Sequence, residues 1–205
     1  MVGLNKENRT KANIFEAAAR LFSEKGFADT TLRNIAGAPS VRVSETAIYR
    51  HFESKAAILD EIYGVFRALP KSYIPSRRQI DAYLKTDTPR RLLTRFIPAC
   101  KDEDALFMTQ AYRILFREQF TNQGARDIVN DHLIGEAADS LRYALERLIQ
   151  VGAIPKMDAK FVSRLWTMNM FTITSANGFA NPNLLLADGM IHMMLTGKLP
   201  NNPPA

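Results

Sequence analysis

Apolar residues recur at helical spacing along most of the chain, and no stretch alternates with a period of two for long enough to predict a strand. The first amphipathic segment runs from Thr10 to Lys25, and Gly26 is placed to supply a left-handed C-terminal cap. Residues 1–9 are polar and unpatterned, so they are interpreted as a flexible basic arm. The pattern predicts an all-α fold.

Three shorter helices are predicted next. Thr30 or Thr31 can cap a second helix, which the segment Gly37-Ala38-Pro39 ends. Ser44 can cap a third helix, and Ser54 can cap a fourth that reaches about residue 69. The chain therefore predicts a helix-turn-helix domain over residues 10–56, followed by a linking helix over 54–69.

The remainder also has helical periodicity, beginning after a break at Pro70 and Pro75. The predicted helices are Ser76–Lys85, Pro89–Cys100, Glu103–Thr121, Arg126–Val151, Asp158–Ala176 and Asn183–Leu195. We interpret residues 70–199 as a larger regulatory and dimerisation domain, and residues 200–205 as a frayed tail.

Composition and charge narrow the class of protein. The 205 residues are 46% hydrophobic and 23% charged, as in ordinary globular proteins. The net charge of +6 favours contact with a polyanion. The single cysteine, Cys100, and the lack of a signal-like leader predict a cytoplasmic protein, and the apolar stretch 171–180 is too short to span a membrane.

The third predicted helix has the chemistry of a DNA-recognition helix. Such a helix needs small or polar residues facing the bases and hydrogen-bond donors at its flanks for phosphates. The candidates for these two roles are Ser44, Glu45, Thr46, Ala47, Tyr49, Arg50, His51 and Lys55.

An ordered set of residues in this region resembles the N-terminal signature of the tetracycline-repressor (TetR/AcrR) family. The matching residues are Ile14, Ala17-Ala18, Leu21-Phe22, Glu24-Lys25-Gly26-Phe27, Thr30-Thr31, Ile35-Ala36, Val43-Ser44, Ala47 to Phe52 and Ser54-Lys55. The match covers about the first quarter of the chain, and so many ordered positions make it far more specific than a lone short motif.

The resemblance implies roles for individual residues. Thr31, Tyr49, His51 and Lys55 would contact phosphates, whereas Glu45, Thr46, Ala47 and Arg50 would face bases. The alternative for Tyr49 is a place in the domain core, and for Lys55 a solvated position.

One segment departs from the family pattern. The turn Gly37–Arg42 is about two residues longer than the family usually has, a length that can shift the recognition helix from the family's usual position. We expect this turn to bulge outward, with Arg42 adding a phosphate contact.

The resemblance also implies that the last two long helices pair with those of a second subunit in a four-helix bundle. Their apolar residues cover much of each helix surface, as a homodimer would require, although internal helices of a monomer are an alternative. A ligand pocket is predicted at Phe107, Tyr112, Phe116, Trp166 and Met170, with ordinary core packing as the alternative.

These features predict a transcription regulator that binds a palindromic DNA operator and is released by a small, largely apolar effector. Activation instead of repression stays open, as do the operator, the effector and the regulated genes. His132, Glu136 and Asp139 make at most a weak metal site, so no metal or cofactor is expected.

The sequence leaves two other functional classes as alternatives. A small helical enzyme with a DNA-binding-like domain would need a catalytic constellation, and the sequence has neither a G-x-S-x-G motif nor a phosphate-binding glycine loop. A nonspecific nucleic-acid or scaffold protein would be favoured by a larger basic excess. The sequence therefore predicts that the chain is not an enzyme.

Overall fold

The computed structural model describes residues 6–68, 74–98, 102–179 and 184–198, and about 74% of the chain is helical. No residue in those ranges belongs to a strand, which confirms the predicted all-α fold. The helices are α1 (Lys6–Lys25), α2 (Leu32–Ala36), α3 (Glu45–Ile48), α4 (Lys55–Ala68), α5 (Arg77–Thr86), α6 (Pro89–Thr94), α7 (Asp102–Glu118), α8 (Gln123–Asp127), α9 (Glu136–Gln150), α10 (Ala159–Asn177) and α11 (Leu184–Thr196). A π-helical stretch, Ile128–Gly135, joins α8 to α9 and is called the π-segment below.

Capping side chains explain where several helices begin. Five capping side chains each accept a hydrogen bond from the backbone N–H three residues later, and they belong to Thr31, Ser44, Ser76, Thr88 and Asp158. Such a bond satisfies one of the N–H groups that have no partner within the helix. At the other end of α1, Gly26 has a φ of 96° and confirms the predicted left-handed cap.

The four N-terminal helices bury one apolar face each. Several of these apolar side chains have at most 1% of their surface exposed. Five of them are Ile14 and Phe22 of α1, Ile35 of α2, Ile48 of α3 and Ile62 of α4. All five belong to one hydrophobic cluster. Burial of these side chains supplies most of the stabilisation available to helices as short as α2 and α3.

This cluster continues beyond the N-terminal helices. It includes residues of α7, such as Ile114, and Ile128 and Val129 of the π-segment. Helix α1 packs along α7, and α4 packs against the π-segment. A second cluster joins α5, α6, α9, α10 and α11 around the buried Trp166. The helix-turn-helix is therefore held against the larger domain by a shared apolar core.

The start of α1, the end of α6 and the end of α7, which stops at Glu118 instead of Thr121, differ from the predictions. Helix α1 begins at Lys6, so residues 6–9 are helical and the arm predicted for residues 1–9 is wrong there. The residues Lys6, Glu7, Asn8 and Arg9 are all polar, so they leave no apolar signal in the sequence. The helix predicted over Pro89–Cys100 ends at Thr94, because the approach to Pro98 disfavours helical backbone.

The helix predicted over Arg126–Val151 is also wrong as a single regular helix. It begins at Gln123, passes through the π-segment and ends at Gln150. Residues 1–5, Pro70, Cys100 and the tail predicted at 200–205 lie outside the described residues. None of the described helices is both long and apolar enough to cross a membrane.

Candidate nucleic-acid interface

Helices α2 and α3 form a helix-turn-helix whose two starts are fixed by side chains. Thr31 Oγ1 accepts from Asn34 N–H (3.1 Å), and the Asn34 side chain accepts in return from Thr31 N–H (3.0 Å). Ser44 Oγ accepts from Ala47 N–H at 3.2 Å. Ser44 is thus the N-cap residue of α3, and its hydroxyl oxygen accepts the capping hydrogen bond.

One face of α3 and of the turn after it points outward. Glu45, Thr46 and Arg50 are exposed, and 54% of the Tyr49 surface is accessible. On the opposite face Ile48 is completely buried, while Ala47 and His51 are half-buried. We call the exposed side chains of Glu45, Thr46, Tyr49 and Arg50 the recognition surface, with Ala47 and His51 at its margin.

The charged groups on this surface and in the turn before it are available for an outside partner. Across the described parts of the chain, the side chains of Arg42, Glu45 and Arg50 form no hydrogen bond or ion pair. An exposed guanidinium can donate two parallel hydrogen bonds to guanine or contact a phosphate, and a carboxylate can accept from a cytosine amino group. The recognition surface thus combines both kinds of base-reading group.

The longer turn between α2 and α3 bulges outward only in part. Pro39, Ser40 and Arg42 are exposed, whereas Ala38 is buried and Val41 is half-buried against the N-terminal cluster. The turn folds back on itself through a hydrogen bond from Arg42 N–H to the Ala38 carbonyl (3.0 Å). Arg42 has a φ of 47°, and this left-handed conformation accompanies the exposed position of its side chain.

Asn13 was missed by the sequence reasoning and positions this turn. Its Nδ2 donates to the Ser40 carbonyl oxygen at 2.9 Å, tying the added residues to α1. No local pattern marks a contact across 27 residues of sequence. Asn34 was also missed, although the spacing Thr31-x-x-Asn34 is a variant of the capping-box pattern and could have indicated it.

Lys55 is engaged within the domain. Its ammonium group donates to the carbonyl oxygens of Phe27 (2.6 Å) and Thr30 (2.7 Å) and lies 4.3 Å from the centre of the Phe27 ring. The start of α4 is thereby tied to the turn that precedes α2. In this conformation at least two of the three ammonium hydrogens are used, so the structure gives Lys55 a positioning role, and its phosphate contact stays a prediction.

Tyr63 of α4 is completely buried in the cluster that joins the two domains. Its hydroxyl group has no hydrogen-bond partner among the described residues. Burial, together with the negative charges of Glu118 and Asp60, raises the pKa of Tyr63 far above its ordinary value. Tyr63 is therefore a neutral, unsatisfied polar group at the base of the helix-turn-helix.

A cleft in the larger domain enclosing about 300 Å³, including space open to solvent, contains three of the five predicted pocket residues. Its lining comprises Phe96, Pro98, Tyr112, Leu133, Ala137, Trp166, Thr167, Met170 and Phe171. Tyr112, Trp166 and Met170 were predicted; Phe107 and Phe116 do not line this cleft. The Phe107 ring packs on Phe15 instead, and 39% of the Phe116 surface is exposed.

Helix α10 leaves an apolar stripe uncovered. Phe161, Leu165 and Met168 follow one another at helical spacing and are 64%, 41% and 54% exposed. Leu186 of α11 is 45% exposed. Large apolar side chains in such a row are typical of a surface that a partner covers.

The candidate metal ligands form only a pair. His132 Nδ1 lies 3.3 Å from Glu136 Oε1 on an exposed helix face. In the ranges that the structure describes, no group of three or more His, Cys, Asp or Glu side chains could hold a metal ion.

Comparison with known proteins identifies the helix-turn-helix. Residues 14–62 match the family model for bacterial regulatory proteins of the tetR family. The N-terminal domain therefore matches the helix-turn-helix of the TetR family. The family match spans α1 to most of α4, so it contains the recognition surface and Lys55.

Two curated TetR-family relatives share the N-terminal part of the chain. The HTH-type transcriptional repressor KstR2 of Rhodococcus jostii is 28% identical over 119 residues, 54% of each chain. The negative regulator of the icaADBC biofilm operon, IcaR of Staphylococcus aureus, is 43% identical over 51 residues, 25% of this chain and 26% of IcaR. The matched segments thus span about half of the first relative and a quarter of the second.

A solved structure shares the whole fold. The TetR-family regulator PfmR from Thermus thermophilus has a TM-score of 0.57 and 21% identity, with 94% of this chain and 97% of PfmR covered. The larger helical domain therefore has the TetR architecture as well.

Proposed function

We propose that this protein is a sequence-specific DNA-binding transcription repressor that acts as a homodimer and leaves its operator when a small, largely apolar effector binds. The observation that carries the proposal is the recognition surface, where Glu45 and Thr46 of the short helix α3 and Arg50 of the turn after it are exposed. A helix of this kind enters the major groove in helix-turn-helix proteins. Repression is favoured because KstR2 and IcaR are named as a repressor and a negative regulator.

A second copy of this chain is the proposed partner of the apolar stripe on α10. Phe161, Leu165 and Met168 would be covered by the same residues of the other subunit, as a two-fold interface requires. Two recognition surfaces would then face half-sites about one DNA turn apart. Sedimentation equilibrium should give twice the 23.1 kDa chain mass; a monomer at micromolar concentration would contradict the proposal.

The cleft suggests the chemistry of the effector. Among the described residues, no charged side chain lines it, and four of the nine lining residues are aromatic. Trp166 is the single tryptophan of the chain, so its fluorescence reports on the cleft directly. N-phenyl-1-naphthylamine, a neutral aromatic probe, should bind with energy transfer from Trp166 and weaken operator binding; saturable binding that leaves operator affinity unchanged would contradict the effector role.

Selection of bound sequences from a random duplex library tests DNA recognition. The winner should be two-fold symmetric and bind about a hundredfold better than scrambled DNA. Arg50→Ala should alter the preferred sequence, because it removes a base-reading group. Arg78→Ala is the matched control, since Arg78 is an exposed arginine on α5. Failure to enrich any sequence over a range of salt concentrations would exclude operator binding.

A further inference from the structure

The π-segment interrupts an otherwise continuous helix from Gln123 to Gln150. Its hydrogen bonding is shifted by one residue, as Glu136 N–H donates to the Asp131 carbonyl five residues earlier. A π-helical turn holds an additional residue compared with an α-helical turn. The segment therefore contains one residue more than an α-helical turn would, and a return to α-helical hydrogen bonding would shift the residues on one side of it by one position.

Gly135 permits this conformation. A Cβ atom at residue 135 would lie 2.7 Å from the Asn130 carbonyl oxygen, much closer than real Cβ contacts. The obstructing atom is backbone, so no side-chain rotation could relieve the clash. An alanine at this position would disfavour the π-helical register.

The π-segment contacts both functional parts of the molecule. It packs against α4, and Ile128 and Val129 share a hydrophobic cluster with Phe66 of α4. At its other end, Leu133 lines the cleft, and Ala137 follows one turn later. The π-segment thus connects the packing around Leu133 directly to the hydrophobic cluster that Ile128 and Val129 share with α4.

The helices on either side of the π-segment are held in place. Upstream, Arg126 donates to the Gln119 and Phe120 carbonyl oxygens at 3.1 and 3.2 Å. Downstream, the Tyr143 hydroxyl donates to the Asp81 carboxylate at 3.0 Å, and Arg147 contacts the same carboxylate. A change of register is therefore absorbed within the π-segment and not by sliding of α9.

We propose that the π-segment is a register switch through which occupation of the cleft changes the position of α4. This inference rests on the proposed function, because it concerns how the effector site acts on the DNA-binding domain. An effector that displaces Leu133 alters the balance between the π-helical and α-helical registers, and Ile128 and Val129 move against α4 as the balance changes.

Gly135→Ala tests the switch, and Gly64→Ala is the matched control. A Cβ at residue 64 meets nothing within 4 Å, so the control introduces the same methyl group into a helix without a clash. Affinity for the selected operator should change about tenfold in Gly135→Ala and stay within about twofold in Gly64→Ala, at equal helical content. A Gly135→Ala protein that folds cooperatively and binds as the wild type does would overturn the proposal.

Hydrogen–deuterium exchange of the wild type keeps the proposal testable if Gly135→Ala fails to fold. Operator binding should change the exchange rates of amides 128–136 as well as those of the recognition surface. Unchanged rates at 128–136 would overturn the switch while leaving DNA binding intact. Absence of any preferred operator for the wild type would instead count against the proposed function itself.

Discussion

Replacing Tyr63 by phenylalanine is expected to stabilise the protein. The substitution keeps the buried ring and removes a hydroxyl group that has no hydrogen-bond partner among the described residues. A buried polar group without a partner costs about 1–3 kcal/mol, and the void left by one oxygen atom offsets part of the gain. We therefore expect a net increase of about 1 kcal/mol in the free energy of unfolding, or a rise of about 2–4 °C in Tm.

The pH dependence gives this prediction a second readout. Because burial raises the pKa of Tyr63, the unfolded chain releases the phenolic proton near pH 10 whereas the folded chain keeps it. The contribution of this group to wild-type stability is thus intact below about pH 10 and declines above it. The phenylalanine variant lacks this decline, so its stability advantage over the wild type should grow as the pH rises above about 10.

Urea unfolding followed by far-UV circular dichroism, at pH 7.5 and at alkaline pH, measures both effects. Tyr143→Phe is the control with the opposite sign, because the Tyr143 hydroxyl donates to Asp81, and that bond also raises the pKa of Tyr143. Tyr143→Phe should lower stability at pH 7.5. A Tyr63→Phe protein less stable than the wild type would refute the assignment of Tyr63 as an unsatisfied group.

Two further substitutions test the contacts that shape the domains. Lys55→Met should lower the free energy of unfolding by about 2 kcal/mol, because it removes charged hydrogen bonds to the Phe27 and Thr30 carbonyls. Urea titrations measure this loss of stability, and Lys25→Met, at an exposed lysine, is the control. A loss of stability in Lys55→Met no larger than that in Lys25→Met would contradict the positioning role. Gly178→Ala should cost about 2–3 kcal/mol, since Gly178 has φ 81° and ψ 172°, a region essentially restricted to glycine. The Cβ of an alanine at residue 178 would also lie 2.8 Å from Thr109 Oγ1. A Gly178→Ala protein with the same Tm as the wild type would exclude this strain.

The helix-turn-helix could be predicted because its signals are local. Ser44 occupies the capping position that its side chain suggested, and Ile48 is buried while Arg50 is exposed, as helical spacing requires. The family resemblance added the expectation that these elements lie together in a DNA-binding domain, and residues 14–62 match the family model.

The features that escaped prediction depend on contacts between distant segments. A long side chain such as Lys55 can reach solvent, a phosphate or a carbonyl group, and the sequence pattern does not distinguish these partners. Phe107 and Phe116 share a helix with Tyr112, yet only Tyr112 faces the cleft, because the neighbours of α7 decide which aromatic rings are covered. The π-segment changes register by one residue, a difference too small to disturb the apolar periodicity.

Because Lys55 joins the first turn of α4 to the loop ahead of α2, a tilt of α4 would carry the helix-turn-helix with it. The helix has 14 residues and a length of about 21 Å. A tilt of about 10° about its C-terminal end would shift the recognition surface by about 4 Å, and in the proposed homodimer opposite shifts would add to about 7 Å. Against a half-site spacing of about 34 Å, that displacement is a fifth of a DNA turn, enough to put one recognition helix out of phase with its groove.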